Sequence, residues 1–138
     1  MVFVHSLFQR ILNETHSYVF LCLILDSDIK NRTDDEHDGG EVWASMLFEM
    51  YWNLVEAHGY SSNWYDSSQT HGNIVALKLV MDALKIQPCD PTFVTARDAI
   101  ISLAGKDTCL VWKAFAKRGL GVHAKEDFVN DYSVPPKC

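Results

Sequence analysis

From residue 42 to residue 55, apolar residues fall in adjacent pairs every fourth position: Val42-Trp43, Met46-Leu47, Met50-Tyr51 and Leu54-Val55. That spacing is the wide stripe of a core-facing helix and is incompatible with the period of two that a strand requires. The stretch from Gly40 to Gly59 therefore predicts a buried helix of about five turns. Gly59 supplies its stop, because glycine tolerates the left-handed backbone that follows a last turn. Each large apolar side chain taken out of water contributes roughly 1.5–3 kcal/mol, which makes this helix the largest single contributor to any core.

The same logic finds three more helices downstream. After a polar, aromatic-bearing loop (Tyr60 to Gln69), Thr70 or Asn73 caps a helix with Ile74, Leu77, Val80/Met81 and Leu84 on one face, ending before Pro88. Asp90 as N-cap and Pro91 at the first helical position open a third, which buries Phe93, Ala96, Ile100 and Leu103 and closes at Ala104-Gly105. Asp107 or Thr108 caps a fourth, Cys109 to Arg118, with Leu110, Val111, Ala114 and Phe115 inward and Lys117-Arg118 at its negative end. Val122 to Cys138 reads as an extended, wrapping tail. The fold class is mainly α.

Upstream of the central helix the pattern breaks. Tyr18 to Leu25 is an eight-residue apolar run, and Met1 to Leu12 is apolar but interrupted by His5, Gln9 and Arg10. A secretory leader wants a basic start and a small-residue cleavage site, and neither is evident, so a buried strand or short helix is the favoured reading. Asp28 to Glu36 is a charged connector without periodicity, and therefore a loop. Two regions follow: 1–36, a divergent segment ending in the acidic loop, and 37–138, the helical domain.

Composition narrows the functional classes. The 138 residues carry a formal charge of -6, and no basic cluster is longer than Lys117-Arg118. This excludes the electrostatic footprint of a nucleic-acid or anionic-membrane partner and leaves small molecules, peptides and proteins. No stretch is long enough to span a bilayer. The four cysteines (Cys22, Cys89, Cys109, Cys138) lack metal-finger spacing, and the sequons at Asn13 and Asn31 join them in a lean toward an oxidising, secreted environment. Cys89 and Cys109, at the starts of consecutive helices, form one candidate pair, and Cys138 is placed to tie down the tail. Spacing leaves the connectivity open, and Cys22 reads as a buried thiol.

No histidine is followed by glutamate, so the zinc-protease helix motif HExxH is absent from this sequence, as are a P-loop, GxGxxG and GxSxG. The six histidines are scattered, none with a His or Cys partner one helical turn away. His58 and His71 read as polar residues at element boundaries. His37 differs, because Asp34, Asp35, Glu36 and Asp38 surround it and carboxylates orient an imidazole and favour its hydrogen-bond-donating form. The rival reading is a solvated acidic loop. A calcium loop is disfavoured, since the DxDxDG spacing is missing.

Four ordered blocks carry a resemblance: His37-Asp-Gly-Gly-Glu-Val-Trp-Ala-Ser-Met-Leu-Phe-Glu-Met-Tyr-Trp-Asn-Leu54, Leu77 to Asp82, Gln87-Pro-Cys-Asp-Pro-Thr-Phe-Val-Thr-Ala-Arg-Asp-Ala-Ile100, and Trp112-Lys-Ala-Phe-Ala-Lys-Arg-Gly-Leu-Gly121. Together with the terminal cysteine they closely resemble the C-terminal part of the fungalysins, secreted fungal zinc metalloendopeptidases. The resemblance implies the helical C-terminal lobe of a thermolysin-like (zincin) fold, forming one wall of the cleft. In that family zinc sits on an upstream HExxH and a further glutamate, so zinc belongs to the intact enzyme and none is expected on this chain alone. His37 stands where the family has the histidine that helps stabilise the oxyanion when zinc-bound water attacks the scissile carbonyl. Gly39 stands where a larger aliphatic residue is expected, which would loosen the loop positioning the imidazole. Residues 1–30 find no match.

The resemblance thus implies peptide-bond hydrolysis in an extracellular setting, with a peptide or protein substrate and the missing zinc-bearing lobe as partners. This chain is then a C-terminal fragment without the metal ligands, and whether it acts as an enzyme turns on that lobe. The alternative is a non-catalytic peptide-binding or remnant helical domain.

Overall fold

The structure, a computed structural model, describes residues 36–138, with side chains from Gly39 onward. Expectations for residues 1–35, including the apolar run, both sequons and Cys22, lie outside the described residues. Among the described residues four α-helices follow in order: α1 (Glu36–His58), α2 (Gly72–Ile86), α3 (Phe93–Leu103) and α4 (Thr108–Lys117), with a 3-10 turn at Gly105–Asp107. No strand occurs among them; the nearest thing is an isolated parallel bridge between Leu120 and Asp131. The mainly helical reading holds.

The central helix is longer and more deeply buried than its apolar stripe implies. It begins at Glu36, so residues 36–39, read as loop, are helical. The helix runs through Gly39-Gly40 despite their poor helix propensity. From Ala44 to Tyr51 every residue is buried, including Ser45 and Glu49. Ser45 is satisfied within the helix, its hydroxyl donating to the Val42 carbonyl at 2.7 Å. Glu49 is satisfied across to the end of α4, where Lys117 Nζ donates to it at 2.7 Å and the Arg118 guanidinium also donates. Lys117 and Arg118 therefore do more than sit at a helix end: they tie α4 to α1. Asn53 adds a third bond between the two helices, its amide donating to the Leu110 carbonyl at 3.0 Å.

Helix α2 crosses α1 with no room for a side chain. A Cβ built on Gly72 would lie 2.1 Å from the Leu54 carbonyl oxygen and 2.4 Å from the Val55 nitrogen, far inside contact distance. So close an approach turns small residues inward, and Ala76 and Ala83 are buried with Ile74, Leu79 and Val80. The expected face is thereby rotated: Leu84, read as core, is half exposed. Neither Thr70 nor Asn73 caps this helix. The N-cap is His71, without a side-chain bond, and Asn73 instead binds both the backbone N–H and the carbonyl of Ser61 (3.0 and 2.8 Å), fastening the aromatic loop.

The third helix starts two residues later than Asp90-Pro91 implies. Thr92 is its N-cap, with a reciprocal box in which Thr92 Oγ1 accepts from the Thr95 N–H (3.2 Å) and Thr95 Oγ1 from the Thr92 N–H (2.9 Å). Leu103, read as inward, is exposed, and Arg97 is buried instead. Its guanidinium donates to the Gly121 carbonyl at 2.6 Å and lies 5.0 Å above the Trp112 ring, a cation–π arrangement that anchors the start of the tail. Asp107 occupies the N-cap position of α4, but its carboxylate goes to His58 Nε2 at 2.8 Å and joins the last turn of α1 to the first of α4.

The tail wraps as expected and Cys138 does tie it down, through a disulfide to Cys109. Cys89 is not in that bond; it is an exposed free thiol, so the Cys89–Cys109 pairing is wrong. The reason is geometric. A disulfide needs Cα atoms about 4.4–6.8 Å apart, and the tail brings Cys138 to 5.1 Å from Cys109.

Candidate functional site

His37 occupies the second position of α1, inside the first turn rather than on a loop ahead of it. Its side chain precedes the described ones. Backbone N–H groups of a first helical turn have no partner within the helix and form the positive end of its dipole, so this is a place where negative charge is favoured. The two following glycines leave the turn open: a Cβ on Gly39 or Gly40 would meet nothing within 4 Å. A larger aliphatic residue at 39 would therefore fit, and glycine there weakens a helical turn, not a loop, by roughly 0.5–1 kcal/mol relative to alanine.

Beside this turn lies a hollow of about 270 Å³, bounded by Gly39, Gly40 and Trp43 of α1, Leu84 near the end of α2, and Thr92-Phe93 at the start of α3. Trp43 and Phe93 form its aromatic wall, stacked with centroids 5.7 Å apart and planes at 17°, and the fully buried Phe115 backs Trp43 from the core (5.8 Å, 26°). Such stacks hold their rings firmly and present apolar surface. The three rings come from three helices, and their sequence separation hides them from any periodicity argument. Phe93 and Phe115 are visible in the sequence only as core positions of their own helices.

The remaining histidines take up structural posts. His58 pairs with Asp107. His71 sits against Gly59, whose positive φ of 74° ends α1, and its Nδ1 is buried without a hydrogen-bond partner. The His123 backbone N–H donates to Asp131 at 2.8 Å. His5 and His16 lie outside the described residues. Among the described residues no three His, Cys, Asp or Glu side chains converge as metal ligands.

Among the described residues two carboxylates are tuned. Asp131 is held below its ordinary value of 3.8, chiefly by the Ser133 hydroxyl (2.5 Å); burial opposes this, and the His123 and Ser133 backbone N–H groups lower it further. Asp66, in the loop between α1 and α2, is lowered mainly by the Ser68 hydroxyl. Both stabilise turns. No helix among the described residues is long and apolar enough to cross a membrane.

Comparison with known proteins agrees with this architecture. Residues 24–124 match the family described as fungalysin metallopeptidase (M36). The match takes in residues 24–30, which the sequence blocks left unassigned. Extracellular metalloproteinase 5 of Arthroderma benhamiae is 48% identical over 120 residues. Extracellular metalloproteinase 3 of Arthroderma gypseum is 47% identical over 120 residues, and extracellular metalloproteinase 5 of Trichophyton rubrum 44% over 120. Each alignment covers 78% of this chain but only 19% of the relative, so the chain spans about a fifth of the length of these proteins.

Proposed function

Because the chain belongs to the fungalysin metallopeptidase family, we propose that it is the helical lobe of a secreted zinc metalloendopeptidase, contributing the wall of the cleft that faces the metal-bearing part. The HExxH and the further glutamate then reside on a part outside these 138 residues, in the zinc-bearing lobe that is this chain's partner. Zinc would supply the Lewis acid of the intact enzyme.

His37 is the catalytic residue of this reading. As the scissile carbonyl becomes tetrahedral, its oxygen gains negative charge, and a protonated imidazole aimed at that oxygen donates a hydrogen bond that strengthens along the reaction. What supports the role is the place of His37 on α1, two residues ahead of Gly39, which borders the hollow. The substrate is a peptide or protein, and the apolar hollow beside His37 suits a large side chain of it.

The test uses a chimera in which residues 24–124 replace the matching part of an intact relative. Changing His37→Ala in that protein lowers kcat by about 10²–10³ with KM nearly constant, the signature of a donor engaged in the transition state. An unchanged kcat removes His37 from catalysis. The isolated chain, by contrast, shows no chelator-sensitive peptidase activity, and stoichiometric tight zinc with such activity would refute the partial-enzyme reading.

A second reading, a non-catalytic peptide-binding domain, draws on the hollow alone. It predicts that the isolated chain binds apolar peptides and that mixing it with a zinc-bearing lobe restores no hydrolysis.

A further inference from the structure

A second hollow, of about 380 Å³, lies on the tail side of α3 and is lined by Thr92, Phe93, Leu120, Lys125, Glu126 and Phe128. It shares Pro91, Thr92 and Phe93 with the hollow at the start of α1. Phe93 is the partition, stacked on Trp43 and met edge-on by Phe128 at 6.4 Å.

The tail over this hollow is anchored on both sides. On the near side the Gly121 and Val122 N–H groups donate to the Asp131 and Ser133 carbonyls (2.8 and 3.0 Å), and the Asp131 N–H donates to Gly119 (2.7 Å). At the far end Cys138 is bonded to Cys109. Between Ala124 and Asn130 the chain loops out: Lys125, Glu126, Asp127 and Val129 are exposed, and Phe128 alone of these five is half-buried. Its backbone is left-handed, with φ of 53°, a conformation that a bulky side chain adopts only where its surroundings hold it. What holds it is the Phe93 ring, aided by the Thr92 hydroxyl donating to Glu126 at 3.0 Å.

We propose that Lys125–Val129 is a flap, with Phe128 as its plug, which swings away from the Phe93 edge and opens the second hollow into an apolar trough along the start of α3. The anchors on either side let the loop move while the paired segments and the disulfide stay in place. Departure of Phe128 lets its backbone relax to a negative φ, which favours opening, and it uncovers the Phe93 edge, which opposes it. The device stands on the second hollow and the tail alone and is independent of the protease reading.

The full chain serves for the test. In Phe128→Ala, amide hydrogen exchange rises about tenfold or more across residues 125–129 and stays unchanged at Gly121, Val122 and Asp131, as local opening requires. Trypsin then cuts after Lys125 faster than in the parent, and the released segment stays attached through Cys109–Cys138 until a dithiol reduces it. The fluorescence of the apolar dye ANS rises with the same substitution. Glu126→Ala, which removes the exposed latch and leaves the ring, gives the same pattern more weakly and serves if the first variant does not fold. Exchange that rises equally from Gly119 to Cys138 shows a tail that moves as a whole and overturns the flap. Folded variants with exchange, cutting and dye fluorescence all at parental level overturn it too.

Discussion

Glu49 of α1 and Arg118 at the end of α4 meet with both side chains nearly sealed from water, at 8% and 2% exposure. Lys117 joins from the solvent side, at 65% exposure, where screening leaves it little weight. Removing one member of a buried pair strands the other's charge. Glu49→Ala is therefore expected to destabilise the chain by about 3–5 kcal/mol, and the pair Glu49→Met with Arg118→Leu to recover most of that loss. Urea unfolding of the parent, Glu49→Met, Arg118→Leu and their double variant measures the cycle, with Glu49→Ala alongside.

At the α1–α2 crossing the test is a single methyl group. Gly72→Ala places a Cβ against the Leu54 backbone, which cannot yield as a side chain would. Overpacking of this kind costs about 1–3 kcal/mol, and here the upper end is expected. Thermal unfolding reads it, with Gly105→Ala, at a positive φ but in open space, as the comparison for backbone strain without collision.

The disulfide closes the chain between Cys109 and Cys138, 29 residues apart. On the chain-entropy account a loop of that size stabilises by about 3–4 kcal/mol, so replacing both cysteines by serine lowers stability by roughly that amount. Cys89, exposed and free, is expected to react with iodoacetamide in the folded protein, and Cys89→Ser to change stability by about 0.5 kcal/mol or less. Non-reducing peptide mapping checks the pairing directly.

Acid should act on the tail through Asp131. Its folded-state value lies below the ordinary 3.8, so its contribution is fully present above that value and disappears as pH falls through the lower, folded one. The melting temperature of the parent is expected to fall between about pH 5 and pH 2 partly on this account, and that of Asp131→Asn to fall less over the same span. Equal slopes for the two proteins would assign the acid sensitivity elsewhere.

The elements that the sequence announced were those set by large apolar side chains at regular spacing, such as the Val42 to Val55 stripe and the Gly59 stop. Where packing depends on small residues or distant polar partners, the pattern misled. Leu84 outranks Ala83 on any hydrophobicity scale, yet the close crossing at Gly72 chooses the alanine. Glu49 looks like a polar break in the stripe because the residues that satisfy it lie at the other end of the domain. Asp90 and Asn73 are good caps by type; Thr92 prevails through its exchange with Thr95, and Asn73 is drawn off by Ser61. The resemblance located His37, but only coordinates put it inside a helical turn, and the Trp43–Phe93–Phe115 stack has no local signature at all.

The contact of Gly72 with Leu54 also sets where this chain tolerates changes in length. Additions at the exposed tip near Tyr65 can bulge outward, while the loop is held elsewhere at Ser61, by Trp64 packed on the core and by Lys78 Nζ donating to the Ser67 carbonyl at 3.1 Å. One residue inserted between Gly72 and Ile74 would turn the rest of α2 by about 100° about its axis and present Ile74 and Ala76 to the wrong neighbours. Natural variants of this lobe should therefore differ in the size of that loop and keep the helix after the crossing at constant register.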